Sequence, residues 1–426
     1  MDYLVLLEVA SKIRDIQNKL YKKISDETGV NYTALEIIAF LYNNEKIFNF
    51  AERYLYFAYS EFKIIAFCTV SNESSISFSE IKVSLFSKAI AIVAAREALK
   101  DSGITEENTD FDKVGIYVGS GIGGFTTIQN QCKANFEKGN SRVSPMFIPM
   151  GICNMPAGNI AIDLGVKGES LAIVTACATS THSIGEAYRN IKHGYQDVIL
   201  AGGSEASICE VAVAGFENMK ALSNSTDKKR ASIPFDKERN GFVMGEGAGI
   251  VVLEELEHAL KRSAKIYAEV IGYGATSDAY HITSPDPEAT GAIKGMRRAI
   301  EDAQIKSENI DYINAHGTST HLNDLTETIA VKGALGVASS NVKISSTKGN
   351  TGHLLGAAGV VEAIITTKAI EDKLVPPTIN YQVPDEECDL DVVPNKPVEK
   401  EINVAMSNSL GFGGHNATII LKKFEK

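Results

Sequence analysis

The 426-residue sequence has no excess of positive charge: 42 Lys and Arg stand against 53 Asp and Glu, a formal net charge of −11. That balance argues against wholesale binding to nucleic acid or to an anionic membrane, though not against a local basic patch. No apolar run approaches the ~18 residues of a membrane span. The first 30 residues carry acids and bases throughout, unlike a signal peptide. The six cysteines, Cys68, Cys132, Cys153, Cys177, Cys209 and Cys388, include no C-x-x-C pair. Neither a zinc site nor a disulfide framework is indicated, and a reducing cytosol fits. The glycine cluster Gly119-Ser120-Gly121-Ile122-Gly123-Gly124 lacks the dinucleotide spacing and the lysine of a phosphate loop, so close backbone packing is the better account of it. What is present is a globular composition, 44% hydrophobic, with length enough for a large core and for two or three domains.

Residues 1 to about 83 differ in character from the rest. Leu6, Val9, Ile13, Ile16, Leu20 and Ile24 recur in steps of three and four, which predicts an amphipathic helix. Thr33 and Glu36 have capping-box spacing before a second helix over 35–42. Phe62 to Val70 reads as a buried strand. This order faintly resembles winged helix-turn-helix regulators, but no basic recognition helix follows. From about Ser84 strand and helix signals alternate, which predicts an α/β architecture. One half is expected over 84–264 and a second over 265–426, after an atypical, largely helical segment over 1–83. Lys228, Lys229 and Arg230 form a basic run near Lys220, in what is usually a solvated loop.

Three strand ends carry chemistry. Leu171 to Val174 read as the end of a buried strand, and a helix is expected from about Ser180 to His193. Cys177 falls at that junction, where free N–H groups and the helix dipole favour thiolate over thiol. A free cysteine in such a place is as a rule only a small buried hydrophobe. Two histidine motifs reverse the preference. A strand over 310–314 delivers Ala315-His316-Gly317-Thr318-Ser319-Thr320. Another, over 342–345, leads to Ser346-Thr347-Lys348-Gly349-Asn350-Thr351-Gly352-His353, then to a small-residue helix containing Glu362. One nucleophile and two imidazoles in glycine-rich settings are the equipment of nucleophilic catalysis. His182, His193, His258, His281, His321 and His415 are expected to be structural.

These stretches together make the chain recognisable. VTACATSTHSIGEA, IPFDKERNGFVMGEGAGIVVLEELEHA, SDAYHITSP, YINAHGTST, SSTKGNTGHLLGAAG, VPPTIN, PDEECDLD and SNSLGFGGHNATII occur in this order from about Ser84 onward. In them the sequence resembles the β-ketoacyl-[acyl carrier protein] synthases, most closely the bacterial type II condensing enzymes of fatty acid elongation. The resemblance implies a thiolase-like fold of two similar α/β halves in α-β-α-β-α layers, and a cytoplasmic homodimer. It implies decarboxylative condensation of an acyl-enzyme with malonyl-[acyl carrier protein], with no cofactor beyond the carrier's phosphopantetheine. Residue by residue, Cys177 matches the nucleophile, and the N–H groups of Cys177 and Phe412 match the oxyanion hole. His316 and His353 match the malonyl-binding pair, and Lys348 and Glu362 the residues that hold it. Phe412 also matches the gating aromatic. Thr283, Thr318 and Thr320 match the pantetheine tunnel, and Ile122, Phe147 and Ile148 are candidates for the acyl pocket. Lys220, Lys228, Lys229 and Arg230 are candidates to face an acidic carrier protein. Residues 1–83 depart from the family, which opens with a strand expected centrally in the first half's sheet; Phe62 to Val70 is the candidate to fill it. That foreign start keeps two alternatives open, an impaired carrier-binding homologue and a regulator–enzyme fusion.

Overall fold

A computed structural model describes residues 86–425, with side chains from Lys88 onward. Helix α1 (Phe86–Ser102) turns Ile90, Ala91, Ala94 and Ala95 inward onto a first sheet. That sheet contains β1 (Val114–Gly119), β2 (Ser170–Leu171), β3 (Val198–Glu205) and β4 (Gly247–Glu254), in the order β2-β1-β3-β4. All pairs are parallel except β3–β4. Every residue of β1 and β3 is buried, which is why their sequences are continuous small and apolar runs and not alternating ones.

The second sheet holds β5 (Glu269–Ser277), β6 (Tyr312–Asn314), β7 (Lys343–Ser345), β10 (Val404–Gly411) and β11 (His415–Lys422), in the order β5-β11-β10-β6-β7. A small ribbon, β8 (Leu374–Val375) with β9 (Val398–Glu399), stands apart from it. Helix α2 (Met155–Leu164) joins α1 on the outer face of the first sheet. Helices α4 (Thr290–Asp302) and α5 (His321–Leu335) cover the second through Met296, Ala299, Ala330 and Val331. Between the sheets lie α3 (Thr179–Lys192) and α6 (Ala358–Asp372). Ile184, Ala187, Val360 and Ile364 there share one buried cluster with Ile199 of β3 and Ile419 of β11. The layers run α-β-α-β-α, as the resemblance implied.

The two sheets repeat one another: β1, β2, β3 and β4 take the places of β6, β7, β10 and β11. This corrects the expectation of a central opening strand. β1 and β3 pair directly over six residues, so no slot exists between them. In the second half the opening strand, β5, lies at the sheet edge, antiparallel to β11. The corresponding place in the first half is therefore the outer edge of β4. The candidate strand Phe62 to Val70, and all of residues 1–83, lie outside the described residues.

The middle layer is tight. The N–H of Val360 donates to Ser180 Oγ at 2.9 Å, and Thr181 Oγ1 lies 2.7 Å from Ser409 Oγ of β10. A Cβ on Gly359 would stand 1.9 Å from Thr181 Oγ1 and 2.9 Å from its backbone nitrogen. Only a bare α-carbon permits this crossing of α3 and α6. Gly359→Ala is expected to lower stability by about 1–3 kcal/mol, read as the midpoint of urea unfolding. Gly215→Ala, on a helix with nothing within 4 Å of the added carbon, should leave the midpoint unchanged or raise it.

Candidate active site

Strand β2 ends at Leu171, three residues short of the expected Val174, and the chain runs extended to a single 3₁₀ turn, Ala176–Ala178, before α3 begins. The turn is sharp: Ala176 takes a φ of 50°, a left-handed value uncommon outside glycine. Side chains on α3 hold it. The N–H of Thr175 donates to Thr179 Oγ1 at 2.9 Å, and His182 Nδ1 lies 2.9 Å from Thr175 Oγ1 and 3.1 Å from the Ala178 carbonyl. His182 thus braces the turn; His193 lies against Arg189 O, His258 against Glu254, and His281 accepts the N–H groups of Thr283 and Ser284.

Cys177 is buried in a cluster with Phe242 and Leu355, against Ile122, Phe216 and Met244. The expectation of a resting thiolate is not met. Burial pushes the Cys177 thiol up to about 12; Lys348 and the N–H groups of Phe412 and Cys177 oppose the rise but do not cancel it. The helix N-terminus acts on the same side as those donors, but removal of the sulfur from water outweighs them. Gly411 packs against the turn, its α-carbon facing Thr175 O and the N–H groups of Ala178 and Cys177, which brings the Phe412 N–H to the sulfur.

The two histidines arrive from the second half. His316 follows β6 and His353 follows β7, both 2% exposed, with rings edge to face at 5.2 Å. Phe242 packs edge-on against the other side of His353, also at 5.2 Å, and so joins the imidazoles to the cysteine cluster. Backbone bonds between His353 and Val243 and Gly245 fix the turn. Lys348, 1% exposed, donates to the Glu362 carboxylate and to the His316 carbonyl at 2.5 Å, with Nζ 3.4 Å from His316 Nδ1. Burial holds both imidazoles well below their ordinary pKa, reinforced by the Lys348 charge and, for His316, by His353. They are neutral near pH 7. Burial raises the Glu362 carboxyl, against the pull of Lys348.

Cys177, His316, His353, Lys348, Glu362, Phe412 and Ile122 therefore converge. Thr318 Oγ1 lies 2.9 Å from Thr320 Oγ1 in the loop just beyond His316, with Thr318 buried. Thr283 sits on the loop after β5, and its N–H donates to His281. Phe147 opens a short helix, Phe147–Gly151, half-buried and outside the Cys177 cluster, with Ile148 exposed. Of the basic run, Lys220, Lys228 and Lys229 are exposed, but Arg230 is committed to Asp236, Glu238 and the Asn380 carbonyl. It presents no free guanidinium to a partner.

Two participants escaped the sequence reading. Phe242 is one. The other is Glu327 on α5, which accepts the N–H groups of His316 and Gly317 at 2.8 Å each and is pushed up to about 7 by burial. Its signal was legible: Glu327 falls in helical step with Val331 and Ala334, on the apolar face of its helix.

The comparisons with known proteins agree with this geometry. The family described as beta-ketoacyl synthase matches over residues 63–259 by its N-terminal domain and over 267–382 by its C-terminal domain. The chain belongs to the beta-ketoacyl synthase family. It is 52% identical over 335 residues to the 3-oxoacyl-[acyl-carrier-protein] synthase 2 of Staphylococcus aureus (strain N315), covering 79% of this chain and 81% of the relative. The protein of that name from Synechocystis sp. (strain PCC 6803) is 49% identical over 336 residues, 79% of this chain and 81% of the relative. Among solved ketosynthases, one in complex with its type II polyketide acyl-carrier protein superposes with a TM-score of 0.78 at 34% identity, covering 81% of this chain and 86% of that one. A beta-ketoacyl synthase from Burkholderia phymatum STM815 gives 0.77 at 32%, covering 84% and 86%. The fold is that of the thiolase-like ketosynthases.

In this ketosynthase Lys348→Met leaves Glu362 buried without its partner, a cost of about 3–5 kcal/mol to be read by chemical denaturation. The histidines give a pH signature. Folded, they stay neutral; unfolded, they protonate near the ordinary 6.5. Below that pH the unfolded state binds more protons, so their contribution to stability is lost as pH falls through 6.5 toward the depressed folded value. Urea midpoints of wild type and His353→Asn between pH 5 and 8 should therefore converge as the pH is lowered. A gap that widens on acidification would contradict the neutral assignment.

Proposed function

We propose that this protein catalyses the decarboxylative condensation of an acyl thioester with malonyl-[acyl carrier protein], yielding 3-oxoacyl-[acyl carrier protein], carbon dioxide and free carrier protein. The observation that carries the reading is the convergence of Cys177 with two neutral, buried imidazoles beside a buried ammonium. In the first half-reaction the Cys177 sulfur attacks the acyl carbonyl. Negative charge develops on the carbonyl oxygen, where the N–H groups of Cys177 and Phe412 receive it, and collapse expels the carrier's thiol. Fixed donors at a developing charge contribute up to about 4 kcal/mol each. Because the resting thiol is protonated, deprotonation belongs to the attack itself, with the proton passing to the departing carrier thiolate.

In the second half-reaction the malonyl carboxylate leaves as carbon dioxide, and its electron pair becomes an enolate on the thioester carbonyl. Neutral His316 and His353 donate hydrogen bonds to that oxygen; a cation at either position would bind the leaving carboxylate and retain it. The enolate carbon attacks the acyl-enzyme carbonyl, Cys177 leaves as thiolate, and a proton from solvent restores its thiol. The steps balance without a resident cofactor. Thr283, Thr318 and Thr320 are assigned to the pantetheine arm, Ile122 and Phe147 to the acyl chain, and Phe412 to its gate.

The partners follow from surface chemistry. Lys220, Lys228 and Lys229, exposed on an otherwise acidic protein, suit an acidic carrier. The edge strand β2 is two residues long and leaves Leu171 and Val174 42% and 45% exposed, which supports a homodimer closed on that edge. None of the described helices is long and apolar enough to cross a membrane, and the described cysteines are unpaired; both suit the cytoplasm.

Cys177→Ala should form no acyl-enzyme detectable by intact mass when given acyl-[acyl carrier protein], whereas wild type gains the mass of the acyl group. A wild type that gains none would overturn the reading. Lys228→Glu with Lys229→Glu should raise KM about tenfold for the carrier-bound substrate and leave a free acyl thioester of coenzyme A unaffected.

A further inference from the structure

Glu205 is the last residue of β3, fully buried, and the reaction as written does not use it. Its Oε1 accepts the hydroxyl of Ser120 at 2.7 Å. Its Oε2 accepts the N–H of Gly121 at 2.7 Å and of Gly356 at 3.0 Å, and the N–H of Ile122 adds a further bond. Ser120 Oγ in turn accepts the N–H of Gly123 at 3.0 Å, so the loop after β1 closes around one carboxylate. The two glycines are required by that crowding. A Cβ on Gly121 would stand 2.8 Å from Glu205 Oε2 and 3.1 Å from the carbonyl of Ala176, and one on Gly356 would stand 2.3 Å from the Gly121 nitrogen.

Two segments of separate origin thus meet at this carboxylate. One is the loop that carries Ile122. The other is the turn after His353, which carries Leu355. The residue before the nucleophile, Ala176, lies against the first of them at Gly121. Ile122, Leu355 and Cys177 pack together. A buried carboxylate satisfied by neutral N–H and O–H donors is costly to remove from water, and a glutamine or hydrophobe in this position would spare that cost. Burial accordingly pushes the Glu205 carboxyl up to about 7, against the pull of its donors.

We propose that Glu205 is a positioning residue that locks the acyl-chain loop to the His353 turn. The lock fixes the spacing between Ile122 and Leu355, and so the width of the cavity beside the sulfur. Glu205 is accordingly a determinant of acyl-chain selectivity that contacts no reacting atom. The proposal rests on the condensing reading for its substrate, but the lock itself does not.

Two variants test the lock. In Glu205→Gln the amide oxygen can accept from Gly121 and Gly356 while the amide nitrogen donates to Ser120, so the lock survives. In Glu205→Ala it is lost. Two readouts apply to each full-length variant: the rate of Cys177 alkylation by iodoacetamides that carry N-alkyl chains of increasing length, and kcat/KM over acyl-[acyl carrier protein] substrates of increasing chain length. Only Glu205→Ala should change either chain-length profile, and Glu205→Gln should keep that of wild type. A wild-type chain-length profile in Glu205→Ala, or equal damage in both variants together with a lowered melting temperature, would overturn the lock. The alkylation profile is read on the free enzyme, so a failure of the condensing reading would leave it standing as a separate result.

Discussion

The ammonium of Lys348 is the charge around which the site is arranged. It is almost wholly withdrawn from water and held by the Glu362 carboxylate and the His316 carbonyl. A lone buried cation would be prohibitively costly, so the carboxylate must accompany it. Once present, the cation does two things that burial alone would not. It adds to the penalty on protonating either imidazole, and it pulls the Cys177 thiol downward against burial. The same charge thus supports neutral hydrogen-bond donors on one side and a nascent thiolate on the other. Both are what a decarboxylation followed by a carbon–carbon bond demands.

The layers of the fold exist to bring that charge to the sulfur. Cys177 comes from the turn at the start of α3 and Glu362 from within α6, and these two helices share the space between the sheets. The imidazoles follow β6 and β7 of the second sheet, while Ile122 follows β1 and Glu205 ends β3 of the first. Strand ends on both sheets therefore feed a single site. The tight crossing at Gly359, and the hydroxyl contacts of Ser180 and Thr181 with α6 and β10, are the rigid support behind it. Phe242 completes the arrangement: it belongs to the cysteine cluster and packs against the His353 ring.

Much of this was legible in the sequence because the motifs are local. A strand followed by a small-residue helix start placed Cys177 at a junction, and the two histidines could be assigned to strand ends from their own neighbourhoods. The glycine cluster at 119–124 was correctly read as close packing: Gly119 meets Ile173 O, Gly121 meets Glu205, and Gly123 and Gly124 meet the backbone of 150–151. What failed was non-local. The resting state of Cys177 depends on how much water the rest of the chain removes, and a helix dipole argument made from nine residues does not contain that quantity. Arg230 looked available because its partner Asp236 lies beyond a turn whose shape the sequence does not give. The opening strand of the first half was expected at the centre; the register of β1 against β3 leaves no gap there, and in the second sheet the corresponding strand lies at the edge. Glu327 was overlooked although a glutamate in step with Val331 and Ala334 marks itself as buried.

The central claim is that His316 and His353 enter the reaction as neutral donors, and their protonation state can be observed directly. In enzyme labelled with ¹⁵N-histidine, long-range proton–nitrogen spectra distinguish a neutral imidazole from an imidazolium at each ring nitrogen. Assigned by comparison with His316→Asn and His353→Asn, the two residues should keep the neutral pattern from pH 8 down to pH 6. Conversion of either ring to imidazolium near the ordinary value of 6.5 would contradict the account.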